Sequence, residues 1–250
     1  MREEGMRTET HLRDDYDSAA NTYDSYRFGT EGGRYTDQLE KDLLRRCLRK
    51  GSVLEVGVAT GRFAIFLNSL GFDYAGIDLS RKMLELARKK ARAQNWKPII
   101  LQMDAQYMHF QRSFDNVICV RTFHFLPKPL DALRSMGNSM NGNGRCLVTF
   151  ETDNFPRRLA LLMGLGKSEQ RYYRREEVEE MLGVAGFRVL EEGSVFRLPV
   201  TLYRRSPRLL LSLLKRLDAL WPWPVQEYVL GEHTTGDAER AESGGLSQKG

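Results

Sequence analysis

The stretch Val53-Leu-Glu-Val-Gly-Val-Ala-Thr-Gly-Arg-Phe63 has the most chemistry to offer. Gly57, Ala59 and Gly61 close an apolar run and open a helical one, so the backbone there can approach a ligand closely. The following helix points free N–H groups and the positive end of its dipole at that ligand, which favours a carboxylate or phosphate. A dinucleotide-binding turn reads Gly-x-Gly-x-x-Gly, whereas Arg62 stands where the last glycine would. Glu55, two places before the first glycine, would repel a pyrophosphate. Both features disfavour a nicotinamide dinucleotide. His124 titrates near neutrality and is the tempting general base, although a packing role is the favoured reading. Cys119 lies in an apolar run and reads as core. The spacing of Cys47, Cys119 and Cys146 suits neither a metal site nor a disulfide framework.

The elements that must position these residues follow from periodicity. An apolar helical pattern over 35–50 precedes a strand at 52–58, a glycine turn and a helix from about Arg62. The pattern recurs as a strand at 74–78 and a helix at 80–93, with Ser80 as N-cap. Further strands are expected at 99–102, 116–120 and 145–151, the last after the turn-rich Asn141-Gly-Asn-Gly144. Strands alternating with helices predict a doubly wound, Rossmann-like α/β sheet of about seven strands, with helices on both faces. A C-terminal antiparallel hairpin is read from 187–190 and 196–203, after a helix at 174–184. The main domain is 35–230. Residues 1–34, with Tyr16, Tyr23 and Tyr26, read as an N-terminal lid, 154–175 as a substrate-facing insert, and 231–250 as a disordered tail.

The chain has 250 residues, 38 basic and 33 acidic, and a formal net charge of +5. That is far from the charge of a nucleic-acid-coating protein, and the aromatic-plus-basic repeats of single-strand binders are missing. Free cysteines and a charged start without an apolar run predict a cytoplasmic protein.

Glu55, Gly57, Ala59 and Gly61 resemble motif I of the class I S-adenosylmethionine-dependent methyltransferases. Asp78, in Gly76-Ile-Asp-Leu-Ser80, and Asp104, in Met103-Asp-Ala105, match the next two landmarks of that family. Phe114-Asp-Asn-Val-Ile-Cys-Val120 with Arg121-Thr-Phe-His-Phe125 is similar to its fourth-strand motif. Tyr172-Tyr-Arg174 and Met181-Leu-Gly-Val-Ala-Gly-Phe187 resemble its late helix and Gly-Phe turn. The ubiquinone and menaquinone C-methyltransferases are the most similar subgroup. The resemblance spans residues 14–203 and implies S-adenosylmethionine as cofactor and S-adenosylhomocysteine as product.

It implies that Asp78 takes the ribose hydroxyls and that Asp104 with Ala105 reads the adenine edge. Leu79 and Met83 would sandwich the adenine, and the loop at Arg121 would line the methyl-transfer site. Arg27 would take the amino acid carboxylate, Tyr23 would close over the cofactor, and Val58 belongs to the cradle. Ala59 stands where the family has a glycine, and the expectation is that its φ stays negative and binding survives. The implied activity is methyl transfer to a small-molecule or lipid-like acceptor. A cofactor-binding protein without turnover is the alternative, and a nicotinamide oxidoreductase a more distant one.

The helix read at 207–221 places Leu210, Leu213, Leu214, Leu217, Leu220 and Trp221 on one face, with Arg208, Lys215 and Arg216 off it. Such a helix suits the sheet, a second subunit, an apolar substrate channel or an anionic membrane. Its partner and the oligomeric state are open.

Overall fold

The computed structural model describes residues 9–163 and 170–234. Two helices, α1 (Glu9–Phe28) and α2 (Glu31–Cys47), lead into β1 (Ser52–Val56), α3 (Arg62–Ser69), β2 (Asp73–Asp78), α4 (Arg81–Arg92) and β3 (Ile99–Gln102). Then follow β4 (Phe114–Cys119), α5 (Pro129–Asn138), β5 (Met140–Glu151), α6 (Phe155–Leu162) and α7 (Arg175–Val184). The chain continues through β6 (Phe187–Phe196), α8 (Val200–Arg205), α9 (Arg208–Leu220) and β7 (Gln226–His233). The strands form one seven-stranded sheet in the order β3-β2-β1-β4-β5-β7-β6. Strands β1 to β5 run parallel, and β7 pairs antiparallel with both β5 and β6.

Alternation along the strands builds two cores. Val53, Ile118 and Leu147 pack with α2, α3 and α4, whereas Leu54, Val117 and Cys146 pack with α5 and α7 on the other face. The sheet grows outward from β1 in both directions, so the crevice at the carboxyl ends of β1 and β4 is the topological switch point. Ser80 caps α4 by accepting from the Met83 N–H at 3.1 Å. The N-terminal segment is helical, and α1 lies across the carboxyl edge. Asp17 accepts from Ser80 Oγ and the Lys82 N–H, and Asp24 accepts from Thr60 Oγ1 and Lys90 Nζ.

Two expectations at the C-terminal end are corrected. Residues 196–203 do not form a strand: β6 ends at Phe196, Pro199 caps α8, and Tyr203 turns inward against α2. Phe196, Leu198, Val200 and Leu202 alternate as strand residues would, but Pro199 has no N–H to donate to a ladder. The last strand is β7, so 231–233 belong to the sheet rather than to a tail. Glu227 disguised it, because this carboxylate is buried and paired with Arg175. The remainder of the expected tail, 235–250, and residues 164–169 of the insert lie outside the described residues. Helix α5 went unread in the sequence, and β5 starts earlier than expected, with Asn143 at φ +62° inside it. Among the described residues no helix is long and apolar enough to cross a membrane.

Candidate functional site

The β1–α3 turn is clipped to the end of β2. Gly57 and Val58 donate their N–H groups to the Ile77 carbonyl at 2.8 and 3.1 Å. Gly57 has φ +88°, and a Cβ there would lie 2.0 Å from Thr122 Oγ1, so only glycine lets the loop after β4 close on the turn. Ala59 also adopts the left-handed region, at φ +47°, contrary to the expectation of a negative φ. A left-handed alanine costs on the order of 1–2 kcal/mol. Its N–H donates to Asp78 Oδ2 at 2.8 Å, a charge-assisted bond of about 1.5–3 kcal/mol that holds the conformation in place.

Around this turn lies a half-open cleft lined by the ends of the central strands and by α1. Of the sequence candidates, Glu55, Gly57, Val58, Ala59, Asp78, Leu79, Asp104, Ala105 and Arg121 line it from the sheet side, and Tyr23 and Arg27 line it from α1. Two candidates do not. Met83 is fully buried away from the cleft, so it is not one half of an adenine sandwich. Gly61 caps α3 at φ +81°, where a Cβ would meet the Ala87 Cβ of α4 at 2.8 Å; it permits helix packing rather than ligand contact.

The three carboxylates differ in their surroundings. Glu55, at the floor, accepts from the Tyr74 hydroxyl. Burial pushes its pKa up to about 8, against the pull of that bond and of Arg62, with Asp78 adding to the rise. Asp78 accepts from the Ser80 and Ala59 N–H groups, each at 2.8 Å. Burial raises its pKa, and those N–H groups partly offset the rise. Asp104 accepts from the Gln106 N–H at 2.9 Å and so caps a short turn at 105–107. A carboxylate has about four lone-pair positions, so Asp78 and Asp104 keep acceptor capacity facing the cleft.

A cationic wall stands behind the turn. Arg62 pairs with Asp37 at 2.7 Å and with the fully buried Glu40 at 2.6 Å, and its guanidinium lies 3.6 Å from the Phe63 ring centroid. Arg121 approaches Glu40 at 3.5 Å. Burial lowers the Arg121 pKa, a shift that Glu40 opposes. The backbone of Arg121 is left-handed, at φ +58°, and its N–H donates to Thr149 Oγ1 at 2.8 Å. Arg27 lies 5.2 Å from the Tyr23 ring centroid and has no ion pair among the described residues.

Sequence reasoning assigned Tyr16 and Tyr23 to a lid but did not give the partners they pack against. Tyr16 stacks edge-on to Phe125 at 5.9 Å and tilts against Tyr23 at 6.2 Å, while Phe28 closes the end of the arc. The available signal was the spacing of Tyr16, Tyr23 and Arg27, seven and four residues apart, which puts them on one helix face. His124 is not in the wall. Burial, then the positive charges of Arg121, Arg27 and Arg157, push its pKa down to about 3, and its Nδ1 has no hydrogen-bond partner. It is neutral at ordinary pH, in keeping with a packing role.

An open parallel sheet with a glycine-type turn at its switch point, followed by acids at the ends of β2 and just beyond β3, defines a class of binding fold for adenosyl ligands. Residues 54–148 match the family model for a methyltransferase domain. An uncharacterized methyltransferase of Alkaliphilus oremlandii is 28% identical over 159 residues, 58% of this chain and 70% of that protein. A phosphatidylethanolamine N-methyltransferase of Cereibacter sphaeroides is 33% identical over 113 residues, 43% of this chain and 55% of its own length. The chain thus spans about half of that second relative. In fold it is similar to the [4+2]-cyclase SpnF, with TM-score 0.71, 17% identity and coverage of 93% and 99% of the two chains. The magnesium protoporphyrin IX methyltransferase of Synechocystis PCC 6803, solved with bound S-adenosylhomocysteine, gives TM-score 0.64 at 16% identity, covering 90% and 99%. Residues 54–148 of the chain are a methyltransferase domain, and the fold is that of the class I S-adenosylmethionine-dependent methyltransferases. The chain's cofactor is S-adenosylmethionine, and the cleft fits that ligand: a glycine turn, two carboxylates with acceptor capacity, and Arg27, which has no ion pair among the described residues.

Proposed function

We propose that this methyltransferase acts on a small molecule with a large apolar part, of lipid-like character, that enters beneath α1. The aromatic arc of Tyr16, Tyr23, Phe28 and Phe125 carries this reading, because it gives the cleft an apolar side facing the acidic one. The Cereibacter sphaeroides relative is named for a phospholipid and the Synechocystis structure for a porphyrin, and both acceptors have large apolar portions. When bound, the cofactor supplies a methyl group on positively charged sulfur, activated for in-line displacement.

The chain's own residues bind, orient and exclude water. Asp78 would accept from the ribose hydroxyls and Asp104 from the adenine amino group, with Leu79 and Ala105 against the ring. Arg27 would take the amino acid carboxylate, and the Tyr16 and Tyr23 faces suit a sulfonium. With His124 neutral and outside the cleft, positioning and water exclusion supply most of the rate. Cys47, Cys119 and Cys146 are free and buried, which suits a reducing compartment, and we place the protein in the cytoplasm.

The test is S-adenosylhomocysteine release in the presence of three acceptor sets: phosphatidylethanolamine vesicles, phenols bearing apolar tails, and water-soluble amines and acids. Turnover with either of the first two supports the reading. Turnover with the water-soluble set alone overturns it.

A further inference from the structure

We propose, as a deepening of the lipid-like acceptor reading, that the surface built by α6, α9 and the Trp221–Trp223 turn docks on an anionic lipid bilayer and presents the cleft to it. Helix α9 is apolar around more than half its circumference, yet only Leu211 is buried, against Leu198 and Tyr203, with Leu214 packed beside it. The remaining stripe is open: Leu209 is 88% exposed and Leu220 81%, with Leu213 and Leu217 between them. It does not end with the helix. Trp221 and Trp223 stack at 5.5 Å, and the exposed Phe155 at the start of α6 reaches Trp223 at 6.4 Å, so two separate insertions share one apolar patch. Indole rings with one apolar and one hydrogen-bonding side suit the boundary between acyl chains and headgroups. Contiguous patches of this kind on a soluble chain mark interaction sites.

Charge selects the occupant. From Thr201 to Leu217 the chain carries Arg204, Arg205, Arg208, Lys215 and Arg216 and no acid. The first acid, Asp218, is used internally, accepting from the Arg197 and Leu198 N–H groups at 2.8 and 2.7 Å. Arg208 reaches Glu31 at 3.4 Å. Arg205 and Arg216 are exposed, and Arg216 borders the apolar stripe. A two-fold dimer through this face would bring one basic surface against another, whereas anionic headgroups complement it. A basic amphipathic helix flanked by tryptophans is the arrangement that lies in a membrane interface.

The location makes such docking useful. Glu151 of β5 and Phe196 of β6 both pair with Gln226 of β7, so α6, α8 and α9 all emerge at the carboxyl edge, where the cleft opens. The Arg204 guanidinium lies 4.2 Å from the ring centroid of Tyr26 in α1, and the next residues, Arg27 and Phe28, line the cleft. An acyl chain leaving a bilayer at this patch therefore meets the roof of the site.

Flotation of the full chain with vesicles tests the proposal. The chain should float with phosphatidylcholine–phosphatidylglycerol vesicles, less with phosphatidylcholine alone, and less again at high salt. The double variant Leu209→Asp/Leu220→Asp should partition at least about tenfold more weakly, and Arg205→Glu/Arg216→Glu should lose the preference for the anionic vesicles. Both variants should keep the wild-type melting temperature and S-adenosylhomocysteine titration. A wild-type chain that stays in solution, or an aspartate variant that floats as well as wild type, overturns the proposal. So does a concentration-dependent dimer, seen by light scattering, that the aspartate variant abolishes, because the face then belongs to a second copy. Failed flotation with intact S-adenosylhomocysteine binding removes the docking surface alone. Flotation without S-adenosylhomocysteine binding removes the methyl-transfer reading alone.

Discussion

The half of the sheet from β1 to β4 and the outer surface of α6 and α9 share one edge and follow opposite rules. In the first, polar groups are withdrawn from water and partnered: Glu55 with Tyr74, Asp78 with two N–H groups, and Arg62 with Asp37 and Glu40. In the second, apolar groups are left in water and unpartnered, with Leu162, Leu209 and Leu220 each more than four-fifths exposed. A site that holds one fixed ligand can complete its hydrogen bonding within the fold, whereas a surface that meets a variable apolar partner must leave its contacts open. Substitutions in the first half should therefore cost stability or cofactor affinity, and substitutions in the second should cost neither.

The largest effect is expected at Arg62. Arg62→Met leaves the fully buried Glu40 carboxylate without its nearest cation, and chemical denaturation should register a loss of about 3–5 kcal/mol. A loss below about 1 kcal/mol would mean that Arg121 alone satisfies Glu40, and the two halves would then be less different than argued. Next comes Asp78→Asn. It keeps one carbonyl acceptor but loses the charge, and S-adenosylhomocysteine affinity should fall at least about tenfold in a folded protein. Asp78→Ala is a poorer probe, because it also strips the acceptor from the left-handed Ala59.

Glu55 gives a pH signature. Its folded pKa, about 8, stands above the ordinary 4.5, so the fold favours the protonated acid. The stabilisation is fully present below the ordinary value and is lost as pH rises through about 8. In Glu55→Gln that decline should disappear, as read from urea midpoints across the same range. An unchanged slope would assign the pH dependence to another group. A smaller gain is expected from Ala59→Gly, which removes the left-handed penalty at the cost of a freer unfolded chain. The net should be up to about 1 kcal/mol, or a rise of roughly 2–4 °C in melting temperature. Smallest of all, Leu213→Ser on the open stripe of α9 should change stability by less than about 0.5 kcal/mol.

The same contrast explains what the sequence discloses. The place of Glu55, Asp78 and Asp104 at the cleft was legible because periodicity marks where β1, β2 and β3 end, and Ser80 because an N-cap is a local rule. The φ of Ala59 was not, since the Asp78 bond that enforces it comes from another strand. Gly61 and Met83 lie outside the cleft lining because position in a turn or early in a helix does not say which way a residue faces. Strand β7 was hidden by Glu227, whose counter-charge Arg175 lies 52 residues earlier in the chain. The spacing of Tyr16, Tyr23 and Arg27 gives a shared helix face, but the contact with Phe125 needs the crossing of α1 over the sheet edge, which is not local.

The most direct measurement is calorimetric titration of the purified chain with S-adenosylhomocysteine, with NADH as control at the same concentration. Saturable one-to-one binding of S-adenosylhomocysteine, with no heat from NADH and at least about a tenfold loss in Asp78→Asn, is the predicted result. A folded protein that binds NADH but not S-adenosylhomocysteine, or whose S-adenosylhomocysteine affinity is untouched by Asp78→Asn, would contradict the assignment of the cleft.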